Sequence, residues 1–109
     1  SSAWQGVIHD TASTATLVAL LCARERATGH AQVRGGLQAE AAPLVVYASE
    51  QAHSSVEKAA LLAGFGRAHL RGVPVDAALA LRPAALAAML AEDRRAGRRP
   101  CAVVATIGT

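Results

Sequence analysis

The chain has 109 residues, of which 52% are hydrophobic and 17% charged, with a net charge of +3. That length holds one domain at most, and the composition excludes a disordered tail. Aromatics are only 3% and alanine supplies much of the apolar count, so the core packs helices closely but buries little area per residue. The surplus of apolar surface is expected to meet more sheet or another subunit.

The N-terminal SSAWQG lacks the charged start and apolar stretch of a leader peptide. No stretch is long and uncharged enough to span a bilayer, so no membrane partner is expected. After a short apolar run at Gly6, Val7 and Ile8, the segment TASTATLVALLCARERA at 11–27 reads as a helix. Leu17, Leu20, Leu21 and Arg24 share one face, and Val18 and Cys22 widen it. Because this helix is apolar nearly all round before Arg24, its first half is expected to be buried. Thr28 and Gly29 close it, and residues 30–43, with Gly35, Gly36 and Pro43, form a loop.

LVVYA at 44–48 is a continuous apolar run of strand length, the pattern of a strand covered on both faces. A second helix follows over 54–63, with Val56, Ala59, Ala60 and Ala63 inward, ended by Gly64 and Gly66. Residues 70–75 form a weaker strand; Gly72 and Pro74 within it place it near an edge. Pro83 suits the first turn of a third helix, which carries a stripe of Leu86, Met89 and Leu90 and stops at Gly97, with Pro100 beyond. CAVVA at 101–105 is a last strand of buried type. The alternation argues for an α/β fold with a mainly parallel sheet and right-handed crossovers.

The basic cluster RRAGRRP at 94–100 falls on the end of a helix, where it complements the dipole and solvates the terminus. It has no stacking aromatics or groove-reading element beside it, so no nucleic-acid partner is expected. Cys22 and Cys101 read as two buried thiols in a reducing, cytoplasmic compartment rather than a disulfide. His9, His30, His53 and His69 show no ligand spacing with Cys or carboxylates, and no metal is expected.

In open parallel sheets, ligands bind at the carboxyl ends of strands, beside the helices that follow. Two segments have that placement. Asp10, Thr11, Ala12, Ser13 and Thr14 gather hydroxyls and free N–H groups at a helix start, which suits an anion. They equally suit a simple cap, and the charge of Asp10 tilts the spacing toward the cap. The second segment is Gln51, Ala52, His53, Ser54 and Ser55. A Ser–His hydrolase is disfavoured, because adjacent residues at a helix start point apart and no G-x-S-x-G turn occurs. Two readings stay open: a structural histidine with Ser54 or Ser55 as cap, or an imidazole face held over a planar cofactor.

The segments GVIHDTASTATLVALLCARER, LVVYASEQAHSSVEKAALLAG, LRGVPVD and CAVVATIGT occur in this order. Together they closely resemble the group II pyridoxal-5′-phosphate-dependent decarboxylases, in particular those acting on aromatic L-amino acids. The resemblance implies a fold-type I, aspartate-aminotransferase-like large domain. Residues 1–109 would be its central fragment, with the rest of that domain and the small domain outside. It implies that Thr11, Ala12 and Ser13 lie on the phosphate-binding turn and that His53 stacks on the cofactor's pyridine ring and steers protonation. It has Ser54 reach the cofactor region and Thr106 and Thr109 flank it. The implied activity is decarboxylation of an aromatic L-amino acid to the amine and CO2, in a homodimer. Relatives acting on another amino acid such as glutamate, aldehyde-forming relatives, and a non-catalytic scaffold are the alternatives. The family's cofactor-bearing lysine and the aspartate that pairs with the pyridine nitrogen have no counterpart here. The single lysine, Lys58, stands one turn past His53, outside the family's Schiff-base motif.

Overall fold

The computed structural model describes residues 11–104, with side-chain surroundings from residue 14 onward. The apolar run at 6–8, His9, Asp10, Ala105, Thr106 and Thr109 lie outside the described residues. Within them the order is α1 (Thr11–Thr28), β1 (Leu44–Ser49), α2 (His53–Leu62), β2 (Leu70–Val73), α3 (Pro83–Arg95) and β3 (Arg99–Val104). The three strands are parallel and ordered β2-β1-β3. Parallel neighbours need a crossover between them, and here α2 and α3 make it. The α/β alternation read from the sequence is therefore the observed architecture.

Every residue of β1 is buried. That is what an uninterrupted apolar strand demands: a layer on each face. Side chains alternate along a strand. Leu44, Val46 and Ala48 point into a cluster with Leu17 and Leu20 of α1, with Val56, Ala59 and Ala60 of α2, and with Ala63, Phe65 and Leu70. Val45 and Tyr47 point the other way, join Val73, and are covered by Leu81, Ala85, Leu86, Met89 and Leu90. The stripe expected on α3 thus covers the second face, and Pro83 sits in that helix's first turn as expected.

β2 is short, lies at one edge of the described sheet and stops before Pro74, in keeping with the sequence reading. β3 begins earlier than expected, at Arg99, so Pro100 lies inside it. The β1–β3 register shifts between Val45 and Val46, passing from Pro100 to Ala102. A residue without an N–H is tolerated at such an irregularity. The loop at 30–43 contains two 3-10 turns, Ala31–Val33 and Leu37–Ala39. Arg99 ties this loop to β3: its backbone N–H donates to Pro43 O at 2.8 Å and its Nη2 to Glu40 Oε1 at 2.7 Å.

Three expectations are corrected. The first half of α1 is not buried all round: Leu17 and Leu20 are, but Val18 is 52% exposed, and Ala19 and Cys22 are exposed too. One helix offers one stripe to the sheet, and no described residue layers over the other side. Consequently Cys22 is not a buried thiol, while Cys101 is half-buried; both are free. β3 is only partly buried rather than of fully covered type, because it has a single described neighbour strand.

Candidate functional site

β1 ends in a tight turn that launches α2. The Ala52 N–H donates to Ser49 O at 2.9 Å, and Ser49 Oγ accepts from the same N–H at 3.2 Å. Ser49 is buried, so its hydroxyl meets part of its need in this turn. Glu50 N–H donates across to Val73 O at 2.9 Å, binding the turn to the end of β2. His53 is then the first residue of α2, at the carboxyl end of the two paired strands.

The serines beside it do not cap the helix. Its N-cap position is Ala52, with no side-chain cap hydrogen bond. The Ser55 hydroxyl donates to Ala52 O at 2.9 Å instead, and Ser54 is exposed. A cap must precede the helical turn it serves. The helix starts one residue earlier than the spacing suggested, which puts both serines inside it.

The His53 ring is half-buried and makes no hydrogen bond among the described residues. Its surroundings explain how it is held. A methyl group placed at Gly72 would meet His53 Cδ2 at 3.6 Å and Glu50 Cγ at 3.5 Å. The imidazole edge therefore lies against a strand position that has no side chain. Gly72 is paired with Ala48, whose side chain is also minimal. Two adjacent small residues thus floor this end of the sheet.

Thr11, Ala12 and Ser13 form the first turn of α1. The far end of this helix is pinned to α2: Arg24 Nη1 donates to Ala63 O at 2.6 Å. Further toward their starts, Leu17 and Leu20 share a cluster with Ala52 and Val56. The two helices thus pack on one another. Lys58 is exposed on α2. Thr106 and Thr109 lie outside the described residues.

Behind this floor lies a polar cluster that the sequence reading missed. Asp93 is 0% exposed. Tyr47 Oη donates to its Oδ2 at 2.5 Å, while Arg71 Nη1 and Arg98 Nη1 donate to Oδ1 at 2.8 and 2.7 Å. Arg71 also pairs with Glu92 at 2.8 Å. Burial pushes the Asp93 carboxyl up, but the hydrogen bonds from Tyr47, Arg98 and Arg71 outweigh it and hold the group below its ordinary value. Burial, reinforced by that carboxylate, pushes the Tyr47 phenol up. Two signals pointed here: a tyrosine inside an apolar strand needs a partner for its hydroxyl, and an aspartate near a helix C-terminus opposes the dipole. Arg98 and Arg99, read as solvating the helix end, instead pair with Asp93 and Glu40.

The profile of the pyridoxal-dependent decarboxylase conserved domain matches residues 2–109. Aromatic-L-amino-acid decarboxylase of Bos taurus is 50% identical over 107 residues, covering 95% of this chain and 21% of that protein. Histidine decarboxylase of Drosophila melanogaster is 46% identical over 107 residues, covering 95% of this chain and 12% of that protein. The crystal structure of Oryza sativa TDC with PLP superposes with a TM-score of 0.73 at 41% identity, over 91% of this chain and 21% of that one. The chain thus spans about a fifth or less of the length of these relatives.

Proposed function

The chain belongs to the pyridoxal-dependent decarboxylase family, and from that premise we propose that the protein carrying it removes the carboxyl group of an aromatic L-amino acid with pyridoxal 5′-phosphate as cofactor. The observation that carries this reading is the His53 ring, half-buried, without a hydrogen bond among the described residues, and laid against Gly72 at the carboxyl end of β1 and β2. The bovine relative supports the aromatic substrate class.

The residues present fit such a group. A flat heterocycle needs an open face of similar size, and the imidazole offers one. A phosphate needs N–H donors and positive potential, which a helix start provides. On this reading the first turn of α1, at Thr11, Ala12 and Ser13, holds the phosphate. His53 packs on the ring and Ser54 borders it, while Thr106 and Thr109 flank the same region. When bound, the cofactor supplies the electron sink that lets the bond to CO2 break. His53 covers one face and excludes water from it. Its ring nitrogens have no partner among the described residues, so an imidazole N–H is free to hold a proton beside the reacting carbon. The exposed Val18, Ala19 and Cys22 along α1 support burial of that side in a homodimer or against further sheet.

The test uses the full-length protein purified with pyridoxal phosphate. It is expected to show the visible absorbance of the bound cofactor and to release CO2 and the amine from an aromatic L-amino acid, followed by mass spectrometry. His53→Ala is expected to lower kcat by about 100-fold. A colourless protein that releases no CO2 overturns the proposal in favour of a scaffold. Aldehyde in place of amine moves it to the aldehyde-forming reaction.

A further inference from the structure

The floor beneath His53 has an underside. Tyr47 pairs with Arg71 in the β1–β2 register, and the next pair is Ala48 with Gly72. Neighbouring residues on a strand face opposite sides of the sheet. Hence the pair that faces Asp93 is one step from the pair that floors the imidazole. β2 is four residues long and has one described neighbour strand. Such an edge strand is held weakly by its ladder alone. Asp93 adds what the ladder lacks. One carboxylate accepts from Tyr47 on β1, from Arg71 on β2 and from Arg98 in the turn after α3. Two strands and a helix end are thereby fixed to one point.

An apolar side chain would fill this position without opposing the helix dipole and without the desolvation of a charge. What it would not supply is direction. Hydrogen bonds fix the angle and the register of the strands they join, whereas apolar contact does not. On these grounds we infer that Asp93 is a positioning residue for His53: from the far side of the sheet it sets the Tyr47–Arg71 pair, and through it the height of Gly72 against the imidazole. The inference rests on the role proposed for His53 above.

The test is a double-mutant cycle in the full-length protein with pyridoxal phosphate, assayed well below each variant's melting temperature. Asp93→Asn is expected to lower kcat by about tenfold with KM nearly unchanged, and to alter the visible circular dichroism of the bound cofactor. In a His53→Ala background the same substitution is expected to lower kcat by less than about twofold, because the route of its effect is gone. Should Asp93→Asn not fold, Tyr47→Phe keeps the ring, removes one bond to the carboxylate and carries the same cycle, with an expected loss of about threefold. Equal losses in both backgrounds, or an unchanged kcat, overturn the inference while leaving the decarboxylase reading intact. Absence of CO2 from the wild type removes that reading and this inference together, whereas a His53→Ala variant with wild-type kcat removes the role of His53, and this inference with it, while the decarboxylase reading stands.

Discussion

The two faces of the sheet are built by different chemistry. On one, Ala48, Ala52, Ala59, Ala60 and Ala63 let α2 lie close, and α1 closes the layer with Leu17 and Leu20. On the other, Val45, Tyr47 and Val73 meet α3 through larger side chains, and a buried carboxylate ties the layers with directed bonds. Small residues bring backbones together and leave room at the carboxyl end, where the imidazole sits on Gly72. They do little to fix orientation. The charged face supplies that, at the cost of burying an ion that must stay paired. On the reading proposed above, a flat cofactor needs both kinds of face, one to make space and one to keep that space constant.

The sharpest break in this contrast is Asp93→Ala. It leaves Arg98 and the Tyr47 hydroxyl without their acceptor and Arg71 with Glu92 alone, and since both arginines keep some solvent, the loss falls near the low end for a buried pair, about 3 kcal/mol. A urea midpoint close to wild type would mean the clamp contributes little. On the alanine face the opposite operation is damaging: Ala60→Leu adds volume at a fully buried position, and is expected to destabilise by about 2 kcal/mol. The same measurement checks it, and a neutral result would reveal unfilled space between α2 and the sheet.

Acid titrates the two faces apart. The Asp93 carboxyl is held below its ordinary value in the fold, so between the folded and unfolded values the unfolded chain binds more protons. Its stabilisation is therefore complete above the ordinary carboxylate range and is lost as pH falls through the folded value, below about pH 4. Denaturation midpoints taken down the acid limb should fall less steeply in Asp93→Asn than in the wild type. Tyr47→Phe, which removes one of the bonds to the carboxylate, is expected to cost about 1 kcal/mol. The smallest effect belongs to Gly72→Ala. Its methyl would stand 3.5 to 3.6 Å from Glu50 and His53, ordinary contact distances, so a stability change within about 0.5 kcal/mol is expected. Gly72→Val sharpens the comparison, since its added methyls press on the imidazole; a full-length Gly72→Val protein with unaltered kcat would show that the ring has room to spare.

Much of this was legible in one dimension. A strand buried on both faces must be apolar at every position, and LVVYA is; a helix packed on one side must repeat its apolar residues with helical period, and the stripes of α2 and α3 do. Proline and glycine marked the start of α3 and the edge character of β2 because their backbone limits are local. Hence the element order, the parallel α/β class and the placement of His53 at a helix start followed from residues a few positions apart. What the tertiary structure alone decided concerns residues far apart in the chain. The serines beside His53 looked like caps until the turn from Ser49 to Ala52 started the helix one residue early. Gly72 read as a strand weakness, and only the packing of α2 over β2 made it a seat for the ring. Asp93 read as one more charge on a helix end, yet its partners stand 46 and 22 residues away. Periodicity is a property of neighbours, whereas the partner of a buried charge is whatever the folded chain brings within hydrogen-bonding distance.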